Sequence, residues 1–194
     1  MEVIQIKCPG CQAVVSTGQE VCEYCGDPIV IRNMATIAQM PLPKVNKYVN
    51  VYRQTLAQHP ESKDVQASLG TCFLRLKMYD RALEAFEKAM PDNFENAQPF
   101  FLAAVSLLQG KKPFVTPRPK IDKALEYLEA ATMIEANPVF YYFMAYIRYD
   151  YHERHFLNTS PNYKETFSVA QDAGLSETDI QELHAILGTD IPQW

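Results

Sequence analysis

The feature that most constrains this chain is the placement of four of its five cysteines, as Cys8-Pro9-Gly10-Cys11 and Cys22-Glu23-Tyr24-Cys25 with ten residues between the pairs. Two CxxC pairs, each on a tight turn, can set four thiolates about 2.3 Å from one tetrahedral zinc ion. Disulfides would need an oxidising compartment, and the opening MEVIQIKCPGC shows no basic region followed by an apolar stretch. A redox CxxC would sit at the start of a helix after a strand, and the duplication of the pair speaks against it. The pattern therefore predicts one structural zinc held by Cys8, Cys11, Cys22 and Cys25, in a chain expected to be cytoplasmic.

The same stretch resembles the short zinc ribbons found at the start of many bacterial proteins. These read CPxCG, then a hairpin of ten residues with a glycine four before the third cysteine, then CxxCG. Gly18 and Gly26 match that pattern, and Gln12 stands where a glycine is expected. Iron accepts the same four thiolates, but the rubredoxin-like family spaces its pairs much further apart. Some ribbons touch nucleic acid. Here Lys7 and Arg32 face Glu2, Glu20, Glu23 and Asp27, and the whole chain carries −5 with a pI near 5.4. A phosphate-binding surface should be basic, so nucleic acid is disfavoured as a partner. The ribbon reads instead as a protein-contact knob whose metal supplies folding energy that about 30 residues cannot draw from a core of their own.

Residues 1–32 are thus expected to form the ribbon, closed by a strand through Ile29-Val30-Ile31. A linker, 33–43, holds a short helix capped by Asn33 and then the break Met40-Pro41-Leu42-Pro43, with the domain boundary between Arg32 and Pro43. Beyond it the apolar residues recur at helical spacing. Helices are predicted from about Lys44 to Gln58, Lys63 to Arg75, Tyr79 to Met90, Glu95 to Gln109, Ile121 to Ala136, Val139 to Tyr151 and Tyr163 to Gln171. Ser176 to Asp179 reads as a capping box opening a last helix to about Leu187.

Leu69-Gly70, Phe73, Ala82, Phe86 and Ala89 resemble the small, aromatic and aliphatic positions of a tetratricopeptide repeat. Stepping by that family's 34 residues places Tyr48, Tyr52 and Thr55 in an earlier, degenerate repeat and Ala103, Ala104 and Leu107 in a later one. Ala124, Leu128 and Ala131 lie 42 beyond Ala82, Phe86 and Ala89, and Tyr163, Phe167 and Ala170 lie 39 further on, which marks two insertions. The resemblance implies a mostly α fold, a solenoid of antiparallel helix pairs over 44–188 with a capping helix, a tail at 189–194, and the zinc-ribbon hairpin in front.

In that family the first helix of each repeat lines a concave face that binds peptides. Carried over by phase, this face holds Asp64, Ala67, Thr71, Leu74 and Arg75, and then an apolar trough of Phe101, Val105, Phe140, Phe143, Ile147 and Tyr151. The lysine and asparagine that clamp a terminal carboxylate in chaperone-binding members are missing at the matching positions. The trough suits an amphipathic helix or apolar peptide of a partner, and equally the chain's own last helix. The insertion from Gly110 to Lys120 has three prolines within seven residues and the basic residues Lys111, Lys112, Arg118 and Lys120. It reads as an extended, polyproline-like loop, either simply solvated or contacting an acidic partner or a neighbouring subunit.

No phosphate-cradling glycine loop, serine elbow or paired cysteine and histidine is present, and His152 and His155 are three apart in an expected loop rather than four apart on a helix. No run of residues is long and apolar enough to span a membrane. The sequence points to a non-enzymatic adaptor that binds protein through the repeat groove and the ribbon. A subunit of a larger assembly and a nucleic-acid-associated regulator are the other readings.

Overall fold

The computed structural model describes residues 3–194 and divides into two compact units, Met1–Asn93 and Phe94–Trp194. The division falls 50 residues later than the proline-rich linker, and the reason lies in the first unit. Strands β1 (Gln5–Lys7) and β2 (Val14–Ser16) form an antiparallel hairpin with Ile6 opposite Val15, both buried. Residues 29–31 do not continue the sheet, where a closing strand was expected. Their side chains are buried, the Ile29 amide donates to the Glu20 carbonyl at 3.1 Å, and helix side chains bond the Ile29 carbonyl and the Ile31 backbone. A buried peptide group must find a partner, and here side chains supply it. Tyr48 donates to the Pro28 carbonyl at 2.9 Å and Tyr52 to the Ile29 carbonyl at 2.8 Å. The Ser68 hydroxyl accepts from the Ile31 amide at 3.1 Å. The ribbon is therefore part of the first unit and shares its core.

Asn33 caps α1 (Met34–Ala38) by accepting from the Thr36 amide at 3.0 Å. This short helix packs on α3, and Arg75 Nε donates to the Ile37 carbonyl at 3.3 Å. The proline pair that reads as a break in fact opens α2 (Leu42–Gln58), because proline is tolerated in a helix's first turn, where its missing amide would have no partner. Val45, Tyr48 and Tyr52 form its buried face.

Helices α3 (Lys63–Arg75) and α4 (Tyr79–Ala89) pack directly against each other. A Cβ built at Gly70 would stand 2.7 Å from the Phe86 ring, so only glycine lets the ring lie flat against α3. Ala82, Phe86 and Ala89 are all fully buried, the small residues bringing the backbones close and the ring filling the remaining space.

The second unit pairs α5 (Gln98–Leu108) with α6 (Arg118–Ile134) and α7 (Pro138–Ile147) with α8 (Tyr163–Asp172), and α9 (Glu177–Leu187) packs on α5 and α7. Ser176 and Asp179 form the expected capping box, with the Asp179 amide donating to Ser176 Oγ at 3.2 Å. A second box, Asn162 with Glu165, opens α8. The helix expected to run to Tyr151 passes after Ile147 into a π turn (Arg148–His152), and a 3-10 turn (Glu153–His155) follows where the sequence suggested a loop.

The first insertion folds back. It forms a 3-10 turn (Pro113–Val115), and its Phe114 amide donates to buried Asp150 at 2.8 Å. The Phe114 ring stacks on His155 with centroids 4.3 Å apart, beneath the Arg154 guanidinium at 4.2 Å. The extended, polyproline-like loop expected from the three prolines is replaced by this anchored turn, and α6 begins at Arg118 with Pro119 in its first turn.

Gly70→Ala tests the close approach. Alanine favours an isolated helix by about 1 kcal/mol, yet here its methyl group meets the Phe86 ring. Urea denaturation should show a net loss of about 1–2 kcal/mol. A gain in stability would show that α3 and α4 stand further apart.

Candidate metal centre

The two knuckles are built by backbone hydrogen bonds. Cys8 donates its amide to the Ala13 carbonyl at 2.7 Å and accepts at its carbonyl from the Gln12 amide at 2.9 Å, closing the first turn. Cys22 donates to the Asp27 carbonyl and accepts from the Gly26 amide, both at 2.8 Å, closing the second. Gly26 lies in the left-handed region at φ +74°. Gln12, the residue in place of the usual glycine, also adopts φ +66°. An L side chain there costs roughly 1–2 kcal/mol, and the Gln12 side-chain amide partly offsets this by donating to the Cys8 carbonyl at 3.2 Å.

These turns bring the four sulfurs together. Cys8 and Cys25 Sγ are 3.6 Å apart, Cys11 and Cys22 Sγ are 3.7 Å apart, and all four lie within 4.8 Å of one another. Sulfurs at the corners of a tetrahedron about 2.3 Å from a central ion would be about 3.8 Å apart. Cys8 and Cys22 are buried, while Cys11 and Cys25 face water. Gly10 leaves the room needed here, since a Cβ on it would stand 2.1 Å from Asp27 Oδ2 and 3.1 Å from Cys25 Sγ.

The thiols do not titrate independently. Loss of water raises Cys22, but the amides of Tyr24 and Cys25 and the thiols of Cys8 and Cys11 donate to it and bring it to about 7. Cys25 accepts from the Asp27 amide, which lowers it, but desolvation and its three thiol neighbours push it up to about 12. Burial raises Cys8. Cys22 ionises readily while Cys8 and Cys25 hold their protons, because negative charges this close repel. A cation among them reverses that balance, and the donor set and its spacing fit a metal ion.

The cluster is coupled to the first unit through Asp27. Its carboxylate, beside Gly10, pairs with Lys44 of α2 at 2.6 Å, and the next two residues are those whose carbonyls receive the tyrosine hydroxyls. Cys72 stands apart on α3, fully buried, with its thiol pushed far up by desolvation.

The other sequence-selected residues fall elsewhere. Phe101, Val105, Phe140, Phe143, Ile147 and Tyr151 are all buried, so the apolar trough expected as a partner site is closed in this structure. Phe101 packs against Phe140 and Phe143 with ring centroids 5.0 and 6.1 Å apart, which places α5 directly against α7. On α3, Thr71 and Leu74 of the expected peptide face are buried, and Ser68 and Arg75 hold the backbone of Ile31 and Ile37. Within the basic insertion, Lys112 pairs with Asp190 at 3.1 Å and Arg118 with Asp122 at 3.6 Å, while Lys111 is exposed and Lys120 half-buried. His152 is buried with an unpartnered Nδ1, and burial lowers its pKa. Among the described residues no helix is long and apolar enough to cross a membrane.

No protein-family model matches the chain, and no curated protein matches it. Among solved structures it is similar to the MamA RS-1 ArsTM double mutant, with a TM-score of 0.49 and 15% identity over 81% of this chain and 74% of that one.

Two predictions follow from these placements. Removing metal from the purified chain with a chelator should lower the stability of the first unit by more than about 3 kcal/mol. Amide exchange should rise through residues 28–31 and the α2 positions bonded to them; unchanged protection there would dissociate the metal centre from the fold. Phe143→Glu should cost more than about 3 kcal/mol and abolish the cooperative helical melt of the second unit, since it buries a carboxylate among rings. A variant that melts like wild type would reopen the trough as a surface.

Proposed function

We propose that this chain is a non-enzymatic protein-interaction scaffold of tetratricopeptide-like helix pairs, in which one structural zinc ion folds the N-terminal ribbon and holds it against the first pair. The close approach of Gly70 to Phe86, in the register of that family, supports the repeat reading. Zinc is favoured by four thiolate donors that close a tetrahedron and leave no coordination position for water or substrate, which is the arrangement of structural rather than catalytic sites. Cys8, Cys11, Cys22 and Cys25 would hold the ion, and its role would be to neutralise their charge and fix both turns.

The observation that carries the scaffold reading is the surface of the ribbon. Val3, Val14, Val21 and Tyr24 are each more than half exposed. Isolated apolar side chains on a surface are ordinary, but four on a module of about 30 residues held rigid by a metal give a preorganised contact knob. The acidic character of the ribbon suits protein better than phosphate. Among the concave positions of α3, Thr71 and Leu74 are buried and Arg75 bonds the Ile37 carbonyl, which favours the ribbon as the contact surface of the first unit.

Tyr24→Glu separates contact from folding, because Tyr24 is exposed and lies between two ligands without being one. Metal analysis should give one zinc per chain for wild type and variant alike, with the same melting temperature. Capture of the natural partner from native extract should fall at least tenfold (about 1.4 kcal/mol) in the variant. Equal capture by both, or iron in place of zinc, would overturn the corresponding half of the proposal.

A further inference from the structure

Residues 189–194 form no helix or strand, yet they lie on the second unit in a defined way. Gly188, at φ +68°, reverses the chain after α9. The hinge is fixed behind it by Thr189, whose Oγ1 is 3.0 Å from His184 Nδ1, while His184 Nε2 meets the Tyr142 hydroxyl at 2.9 Å. Beyond the hinge the fastenings are few. Asp190 pairs with Lys112 at 3.1 Å, with the aspartate 90% exposed, and the Tyr149 hydroxyl donates to the Gln193 carbonyl at 3.3 Å. An exposed ion pair of this kind contributes little and is screened by salt. Beneath the segment a cavity of about 220 Å³ remains between Lys112, Tyr149, Asp150 and Arg154, so the segment does not seal its seat.

Trp194 supplies most of the grip. Its ring lies 5.1 Å from Tyr149, 5.3 Å from Phe167, 5.6 Å from Tyr142 and 6.1 Å from Tyr163, centroid to centroid, and is stacked on the last. These four residues belong to α7, the following turn and α8, and they form a cradle that the tryptophan fills while remaining 38% exposed. The cradle would keep its shape without the segment, because Tyr142 is tied to His184 and its residues stand on packed helices. A lysine at one end and an aromatic cradle at the other, joined by an extended stretch, define a recognition pattern. It takes an acidic residue, then an aromatic one four positions later. Pro192 in the resident segment restricts the stretch between them and lowers the entropy lost on seating.

We propose that this cradle is a docking site for an extended segment of a partner protein that carries an acidic residue four positions before an aromatic one, and that residues 190–194 are its resident competitor. The proposal rests on the scaffold reading and supplies a partner chemistry for the second unit. The partner segment would pair with Lys112, seat its ring among Tyr142, Tyr149, Tyr163 and Phe167, and swing residues 190–194 out about Gly188. Affinity would then be set by the difference between two similar occupants, which makes capture weak in the resting chain and stronger whenever the resident segment is lifted.

Trp194 is the only tryptophan in the chain, so its emission reports the occupant directly. The full-length, metal-loaded chain is titrated with a capped peptide, Thr-Asp-Ile-Pro-Gln-Phe, which has no tryptophan. Emission from the resting chain should lie to the blue of free tryptophan and move to the red in a saturable way as the peptide displaces Trp194. Lys112→Glu, or lysine in place of the peptide's aspartate, should raise the half-saturating concentration severalfold. A labelled version of the peptide should bind Trp194→Ala at least tenfold tighter than wild type (about 1.4 kcal/mol). No shift up to about 1 mM peptide, or the same shift with a scrambled peptide, overturns the docking site; equal affinity for Trp194→Ala and wild type overturns the competitor role. The Tyr24→Glu comparison uses a different unit and different residues, so failure of the docking site is told apart from failure of the scaffold reading on which it rests.

Discussion

Four sulfurs within 4.8 Å of one another cannot all carry charge unless a cation stands among them, and the first unit is arranged around that constraint. The hairpin β1–β2 is three residues a side, too short to hold its own register, and a ribbon of about 30 residues buries too little to fold alone. A metal ion held by these four sulfurs would close both knuckles at once. Closing the second fixes Cys22 to Asp27, and that turn aims the backbone of Pro28 and Ile29 at α2. The tyrosine hydroxyls, Ser68 and Lys44 then bond a chain segment whose path the knuckle has set. A metal bound there would act on the helices through these few named backbone groups, and the bonds from Tyr48, Tyr52, Ser68 and Lys44 join the ribbon to the helices of its unit.

The centre itself was legible in the sequence because its information is local. CxxC spacing fixes two turns, and the ten residues between the pairs fix the hairpin, with no knowledge of the rest of the chain. The helix pair α3–α4 was legible for a similar reason, since Gly70 and Phe86 meet across a short turn. What could not be read was how the ribbon attaches. Tyr48 and Tyr52 stand out in the sequence as members of an apolar helical face, which they are, but each also carries a hydroxyl at the far end of its ring. Nothing in helical periodicity says that those hydroxyls reach the carbonyls of Pro28 and Ile29, about 20 residues earlier in the chain.

The sequence left the trough open between a partner and the chain's own last helix for a related reason. A helix with rings on every side, such as α7, either lines a groove or is enclosed, and periodicity does not distinguish the two. The difference lies in what packs across it. Phe101 is near enough to touch both Phe140 and Phe143, and α9 lies along the same helices, so the phase positions that would line an open groove are interior. The first insertion shows the same limit in reverse. Prolines at 113, 117 and 119 suggested an extended chain, but two of them open helical turns, and a buried carboxylate on the π turn, Asp150, captures the Phe114 amide and draws the loop in.

A common device runs through both units taken singly. In each, a helix face is covered by a segment from the same chain: residues 31–38 on α3 in the first, residues 190–194 on α7 and α8 in the second. The two covers differ in strength, and the difference is physical. Ile31 and Ile37 are buried to within 1% and their backbone is bonded by Ser68 and Arg75, so removing that cover would strand polar groups and expose apolar ones together. The segment at 190–194 leaves Asp190 in water and a groove alongside it, and its one large contact is the Trp194 ring against four other rings. A cover that uncovers rings but strands no buried backbone group when it leaves can exchange with a competitor of like chemistry, whereas one whose loss strands buried peptide groups cannot; on that ground residues 31–38 belong to the fold and residues 190–194 to recognition.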